Sequence, residues 1–360
     1  MKNYDNIIIN IIKNASLNVS LKFRGAKMIT QEDIARKLNV SRTTVARALN
    51  GNSNIKPETK EKILSLCDEL GYVKNPISTS LAIKKKKKVF AFIIKSKNIH
   101  YSLELIKGLK RAEQEFEFYR YSIEIIETDI NEPIKQLEEL NRVINEEKPD
   151  GIIIIPLLKE KIKQVKLQKP KIFFVTLDIS IDESIVNVGV DYFKSGRITA
   201  EVFINIISKG KKILVLDTVD DRISSKLYLK GFLSRIKEEE KELIVGPIYD
   251  ENLKENAIEI IKKHVNSDIE GLYSTRFLTD IILNIEKILN RKLKVVANGI
   301  SDVVYNLILD KSIIAAVVER WEEEGYIAAK IMFNYIYKNS KPSFNNYITK
   351  SKIMFRENLK

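Results

Sequence analysis

Residues 29 to 50 gather hydroxyl and guanidinium side chains at the start of a short amphipathic segment, where they can hydrogen-bond phosphates and base edges. Ile34, Ala35, Leu38, Val40, Val45, Ala48 and Leu49 fall on one apolar seam at helical spacing, which predicts two short helices joined by a tight turn. Ala35 is small enough to let the two helices cross closely. Ser41 is expected to cap the second helix, because its hydroxyl can accept from an otherwise orphaned backbone N–H. Arg42, Thr43, Thr44 and Arg47 are then left on the outer face near the helix N-terminus, from which side chains reach base edges in a major groove. The competing interpretation is an ordinary helix pair with a solvated polar face.

Charge placement argues against that alternative. Residues 1 to 88 hold 18 Lys/Arg and 7 Asp/Glu, a net of +11 out of +13 for the whole chain. A basic head on a near-neutral body is the footprint of phosphate binding. Much of the charge comes from the run Lys84 to Lys88, which by itself would read as a solvated linker. The 360 residues exceed one typical domain, and a hydrophobic content of 44% can fill a sizeable core. Cys67 is the only cysteine, so neither an intrachain disulfide nor a cysteine-based zinc site is possible, and a reducing cytosol is expected. The apolar stretch Ile7 to Ile12 is short and interrupted by Asn10, so it reads as neither a membrane span nor a signal peptide. A cytoplasmic protein with no membrane association is the expectation.

The first 27 residues, rich in Asn and Lys and without periodicity, are expected to form a flexible arm. Beyond the helix pair, residues 50–54 read as a polar turn, and Pro57 as the first residue of a third helix reaching Leu70, with Gly71 as a left-handed cap. Ile63, Leu64, Leu66 and Leu70 are expected to close the three-helix core, with Cys67 in or near it.

From Ile29 to Ala82 the chain resembles the head and hinge of LacI-family (lactose-repressor-type) transcription factors. Four motifs occur in order: Asp33-Ile34-Ala35, the run from Val40 through Ser41-Arg42-Thr43-Thr44 to Arg47 and Asn50, Gly71-Tyr72 with Asn75, and Leu81-Ala82. The resemblance implies that Arg42, Thr43 and Arg47 carry base recognition. It also implies that Thr30, Ser41, Thr44, Asn50, Asn54, Tyr72 and Asn75 hold or position the backbone, which sets register without reading sequence. Pro76 to Ile83 is too short for a stable helix in water and would fold only against a partner hinge and DNA. In the family the leucine matching Leu81, beside Ala82, wedges into the minor groove. Ser78 replaces the usual alanine of that hinge.

From Val89 onward, apolar runs alternate with helix-length stretches: Val89–Ile94, Ile123–Ile126, Gly151–Ile155, Ile172–Val175, Ile213–Leu216, Leu243–Val245, Leu293–Val296 and Ile313–Val318. Continuous apolar strands separated by helices predict parallel sheets covered on both faces, and about 270 residues suggest two such lobes. The expected fold is thus a small all-α helix-turn-helix head on an α/β body of two doubly wound parallel-sheet lobes. The resemblance adds that such a body is like a type I periplasmic binding protein. The domains are expected as an arm (1–27), a DNA-binding head (28–74), a hinge and basic linker (75–88) and a two-lobed effector and dimerisation body (89–360).

Ligands in such folds bind beyond the carboxyl ends of the strands. The candidate effector contacts are therefore His100, Tyr101, Asp178, Asp191, Tyr228, Arg276, Asn298 and Glu319. Sugar-binding members of the family usually carry an arginine where this chain has Tyr228, an Asn-Asp pair where it has Arg276-Phe277, and an acid near Asn298-Gly299. These departures point away from a free sugar. Arg276 reads either as the bidentate partner of an anionic group or as a surface or interlobe salt-bridge residue. His100 reads either as a ligand contact or as a polar surface residue.

With two histidines, and no phosphate loop or Ser-His-Asp spacing, little is available for an active site, and neither a cofactor nor a metal is expected. The expected function is a dimeric regulator, a repressor, that binds palindromic operator DNA under the control of a small-molecule effector such as a sugar, a sugar derivative or another metabolite. The alternative is a regulator or metabolite-binding module whose cleft no longer takes a small molecule and contacts a partner protein.

Overall fold

A computed structural model describes residues 29–49, 55–70, 72, 87–95, 99–219, 222–239, 242–285, 288–289 and 291–359. The chain divides into two units that meet between Lys84 and Lys85.

In the head, helices α1 (Gln31–Lys37), α2 (Arg42–Leu49) and α3 (Pro57–Glu69) enclose Ile34, Ala35, Val45, Ala48, Ile63 and Cys67. Thr30 and Asp33 start α1 with a reciprocal box: the Asp33 N–H donates to Thr30 Oγ1 at 3.2 Å, and the Thr30 N–H donates to Asp33 Oδ2 at 2.9 Å. The helix ends where Asn39 turns left-handed at φ 51°, a conformation asparagine tolerates better than most side chains. The Val40 N–H then returns to the Ala35 carbonyl at 3.0 Å. Ser41 caps α2 as expected, its Oγ accepting the Thr44 N–H at 3.0 Å. Pro57 opens α3 as expected. Leu64, expected in the core, is 40% exposed, and Cys67 takes the inner position with Ile63. Neighbouring helical residues diverge by about 100°, so Ile63 and Leu64 cannot both face inward. Gly71, expected as the cap of α3, lies outside the described residues.

The body carries two six-stranded sheets. The first-lobe sheet is made of β1 (Val89–Lys95), β2 (Ile123–Asp129), β3 (Gly151–Ile154), β4 (Phe173–Leu177), β5 (Val186–Val190) and β11 (Asn346–Thr349). Its order is β11-β5-β4-β3-β1-β2, and every neighbouring pair is parallel. The second-lobe sheet is made of β6 (Lys212–Asp217), β7 (Ile244–Tyr249), β8 (Ile269–Ser274), β9 (Lys294–Asn298), β10 (Ala315–Val318) and β12 (Lys352–Phe355). Its order is β12-β10-β9-β8-β6-β7, parallel except where β12 runs against β10.

Alternation within the apolar strands explains why both sheet faces are covered. In β1, Val89, Ala91 and Ile93 join one core, while Phe90 and Phe92 join the core on the opposite face. In β6, Leu214 and Leu216 face one core while Ile213 and Val215 face another. Each such large aliphatic or aromatic side chain, fully buried, stabilises the fold by about 1.5–3 kcal/mol. The helices covering the first sheet are α4 (Ile99–Glu115), α5 (Pro133–Glu146), α6 (Lys159–Gln168) and α12 (Trp321–Lys338). The second lobe holds α7 (Tyr192–Ile206), α8 (Ile223–Lys237), α9 (Leu253–His264), α10 (Leu278–Ile285) and α11 (Asp302–Leu309). Each expected apolar run contains or overlaps a strand, whereas β5, β8, β11 and β12 have no counterpart among them.

The chain passes between lobes three times: from β5 into α7, from β10 into α12, and from β11 into β12. Two helix pairs flank these crossings, and each is drawn together by glycines on both partners. A Cβ at Gly108 of α4 would collide with the Glu322 carbonyl of α12, and one at Gly325 of α12 with the Leu105 carbonyl of α4. Gly196 of α7 presses in the same way on the Tyr228 carbonyl of α8, and Gly231 of α8 on the Phe193 carbonyl of α7. At the entry to the body, Asp150 accepts both the Lys87 ammonium and the Lys88 N–H at 3.0 Å, and Glu147 pairs with the Lys88 ammonium at 2.7 Å. Two lysines of the basic run are therefore committed to the body.

Replacing Gly325 by alanine should force α4 and α12 apart and lower the stability of the body by about 1–3 kcal/mol. Urea unfolding followed by circular dichroism measures this, and an unchanged midpoint would show that the close crossing is not required.

Candidate functional site

Two surfaces qualify, one in each unit. On the head, Arg42, Thr43 and Arg47 stand exposed on α2, whose first turn carries no acidic residue to oppose an approaching phosphate. Ser41 Oγ lies 2.8 Å from both Thr43 Oγ1 and Thr44 Oγ1, so the capping hydroxyl also orients two threonines. Tyr72 is half-buried against the head core, with its hydroxyl beside Gln31 and Arg42. Burial raises its pKa, so it serves as a neutral hydroxyl. The Thr30 hydroxyl is engaged by the Asp33 carboxylate at 2.7 Å, which makes Thr30 a helix cap first. Asn50, Asn54, Asn75, Leu81 and Ala82 lie outside the described residues.

In the body, four of the expected cleft residues, Tyr101, Asp178, Tyr228 and Glu319, converge with four that were not anticipated, Tyr192, Ser195, Trp321 and Glu324. Asp178 follows β4 in a left-handed conformation, φ 60°, with its carboxyl turned inward. Its Oδ1 accepts the Tyr192 hydroxyl at 2.8 Å and its Oδ2 the Tyr101 hydroxyl at 3.1 Å. The Asp178 N–H donates to Glu324 Oε1 at 2.6 Å. Tyr101 belongs to α4, Tyr192 to α7 and Glu324 to α12, so this one residue joins a first-lobe helix to both helices that begin at lobe crossings. Tyr101 also packs edge-on against Trp321 with ring centroids 5.3 Å apart, and Tyr192 packs edge-on against Tyr228 at 5.2 Å.

Glu319 sits where β10 leaves the second lobe and is 3% exposed. The hydroxyls of Tyr228 and Ser195 lean towards it, but neither carboxylate oxygen has a hydrogen bond of ordinary geometry. Glu324 Oε2 and Trp321 Nε1 are likewise buried without a partner. Burial raises the Glu319 pKa to about 7 against the opposing pull of the Tyr228 hydroxyl. Burial, reinforced by the charge of Asp178, pushes Glu324 well above the usual carboxylate range. Burial also raises Asp178, which the Tyr192 and Tyr101 hydroxyls partly offset. Tyr101, Tyr192 and Tyr228 are raised by burial and remain hydroxyl donors.

The other expected residues lie elsewhere. Asp191 is exposed and caps α7, accepting the Lys194 N–H at 2.8 Å. Asn298 is held within the second lobe, accepting from the Tyr273 hydroxyl at 2.8 Å and donating to Thr199 Oγ1 at 2.9 Å. The Arg276 guanidinium lies over the Phe277 ring, 4.9 Å from its centroid, close to where Thr275 donates to Asp217 at 3.0 Å. His100 spans the two lobes, its Nε2 3.0 Å from Asp302 Oδ1. Trp321 stands just past an expected strand, as the end-of-strand rule requires, and could have been named from sequence. Tyr192, Ser195 and Glu324 are helical, and only the crossings bring them in. Among the described residues no group of His, Cys, Asp and Glu could hold a metal ion, and no helix is long and apolar enough to cross a membrane.

A carboxyl whose pKa is raised on folding keeps its proton in the folded state where the unfolded chain has lost it. Its contribution to stability is fully present below about pH 4.5 and is lost as pH rises towards about 7. For Glu319 the span corresponds to up to about 3 kcal/mol. Carboxylates lowered by ion pairs, such as Asp182 at about 2 beside Lys163, have finished titrating below this window. The body should therefore melt at a lower temperature at pH 8 than at pH 5.5, and Glu319→Gln should flatten that dependence. An equal slope in wild type and variant would contradict the placement of the proton.

Comparison with known proteins matches this architecture. Residues 30–75 match bacterial regulatory proteins of the lacI family, and residues 90–340 match the periplasmic binding protein domain. Catabolite control protein A of Priestia megaterium is 30% identical over 214 residues, 58% of this chain and 61% of that protein. The chain thus spans about three-fifths of the length of this curated relative. The lac repressor dimer bound to operator and the anti-inducer ONPF has the same fold, with a TM-score of 0.57 at 15% identity over 91% of this chain and 98% of the other. So does a periplasmic ribose ABC transporter protein of Conexibacter woesei, with a TM-score of 0.64 at 20% identity over 76% of this chain and 93% of that one. Over residues 90–340 the chain belongs to the periplasmic binding protein domain family, and residues 30–75 carry a head that matches the lacI family of bacterial regulatory proteins.

Proposed function

We propose that the protein is a cytoplasmic, sequence-specific DNA-binding repressor and not an enzyme, acting as a homodimer on a palindromic operator under the control of a small molecule bound between its lobes. The observation that carries this proposal is the outer face of α2, where a capped N-terminus without acidic residues presents Arg42, Thr43 and Arg47 to solvent over a closed three-helix core. Arg42, Thr43 and Arg47 read bases, while Ser41, Thr44 and Tyr72 set register on the backbone. Thr30, Asn50, Asn54 and Asn75 add backbone contacts, and Leu81 with Ala82 enters the minor groove.

Dimerisation is supported by large apolar side chains left exposed on the body, Ile99 and Leu103 on α4 and Leu283 on α10, at 66%, 56% and 50%. The effector contacts of this reading are Tyr101, Asp178, Tyr228 and Glu319, with Trp321 and Glu324 added; His100, Arg276, Asn298 and Asp191 complete the set proposed from sequence. Ligand binding changes the lobe arrangement and through it the spacing of paired hinges. The coupling is reciprocal, so DNA shifts ligand affinity by the same factor, typically 5- to 150-fold.

A second interpretation draws support from the parts of the cleft that satisfy themselves, Asp178 between two tyrosine hydroxyls and Asn298 between Tyr273 and Thr199. There the cleft takes no small molecule and the body contacts a partner protein.

Selection of genomic fragments by the purified protein should return a palindrome. Arg47→Ala should cost about 1–3 kcal/mol on that site and relax base preference at the position it reads. Equal binding of wild type to every duplex, or an unchanged preference in the variant, would remove the sequence-reading role.

A further inference from the structure

We propose that the occupant of the interlobe cleft is a small primary ammonium compound, its charged nitrogen seated between Glu319 and Glu324 beside the Trp321 indole. The inference rests on the effector role of the cleft and adds the chemical class of the ligand.

Hydrogen-bonding inventory is the first argument. Three buried carboxyl oxygens in this joint, Glu319 Oε1, Glu319 Oε2 and Glu324 Oε2, have no hydrogen bond of ordinary geometry; once the two groups ionise all three are acceptors, against one such buried donor, Trp321 Nε1. Leaving such groups unpaired is costly, so the matching ligand must bring more donors than acceptors. A ligand hydroxyl brings one donor and two lone pairs, and a phosphate or carboxylate brings acceptors. An alkylammonium brings three donors and no acceptor.

Charge and ring chemistry point the same way. Among the described residues, none of Asp178, Glu319 and Glu324 is ion-paired with a lysine, arginine or histidine. An entering cation supplies the missing countercharge and allows a buried carboxyl to ionise, whereas an anion would meet three acidic groups. Two edge-on aromatic pairs, Tyr101 with Trp321 and Tyr192 with Tyr228, belong to the same joint, and aromatic rings attract an ammonium. Ionising Glu319 in the complex releases the proton it holds when the site is ligand-free.

Isothermal titration of the full-length protein at pH 6 and constant ionic strength tests this with two matched pairs, 1,4-diaminobutane against 1,4-butanediol and glucosamine against glucose. At least one amine should bind tenfold or more tightly than its neutral counterpart and release up to one proton per ligand, read from the dependence of the heat on buffer ionisation. Glu319→Gln should abolish the preference for the amine. Because the amine-to-neutral ratio and the proton release are measured on wild type, the test does not depend on the variant folding. If the neutral compounds bind as tightly as the amines, or the preference survives in the variant, the ammonium assignment is overturned while the effector cleft stands. If none of the four binds, both fall.

Discussion

A carboxylate moved from water into a protein interior loses several kcal/mol of solvation even after the protein relaxes around it. The body of this protein does this three times in one joint, at Asp178, Glu319 and Glu324. Three such groups cannot all remain charged so close together. Asp178 alone is well served, by two tyrosine hydroxyls. Glu324 gives one oxygen to a backbone N–H and keeps the other unpaired, and Glu319 has neither oxygen paired. The electrostatic balance of the joint is therefore left to protons or to a ligand, and this makes the region responsive to what enters it.

The rest of the body serves to hold those groups in place. Two sheets, parallel but for the β10–β12 pair and covered on both faces, supply rigid ends from which Asp178 and Glu319 project. The paired glycines bring α4 against α12 and α7 against α8 at backbone contact, so Tyr101, Tyr192, Tyr228 and Trp321 arrive from four helices within a few ångströms of each other. A helix that could drift by one methyl group would loosen this arrangement. The left-handed backbone at Asp178 aims its N–H at Glu324 while its carboxyl faces the tyrosines.

The head was the most legible part of the sequence, because its signals are local. Ser41, Pro57 and the seam from Ile34 to Leu49 act within one or two turns, and each behaves as its chemistry dictates. Leu64 was misplaced because two adjacent apolar residues give no phase information on their own, and Cys67 settled the phase instead. The apolar strands were legible from their runs of β-branched residues, but β5, with its internal Asn187 and Gly189, and the polar edge strand β11 carry no such signature. Of the residues named by the end-of-strand rule, Tyr101, Asp178, Tyr228 and Glu319 meet in one joint. The rule also returned Asp191 and Asn298, which cap a helix and brace the second lobe. Glu324 and Tyr192 depend on which helices cross between lobes, a property of topology that no stretch of sequence displays.

Everything proposed for the body depends on the joint holding its carboxyl groups partly protonated near neutral pH. A carbon-13 NMR titration of glutamate side-chain carboxyls in the full-length protein, with Glu319→Gln and Glu324→Gln used for assignment, tests it most directly. Glu319 should titrate at about 7, and Glu324 should keep its proton well beyond the ordinary glutamate range. If both resonances titrate near the unperturbed value of about 4.3, the joint is solvated and the proposed chemistry of the cleft fails with it.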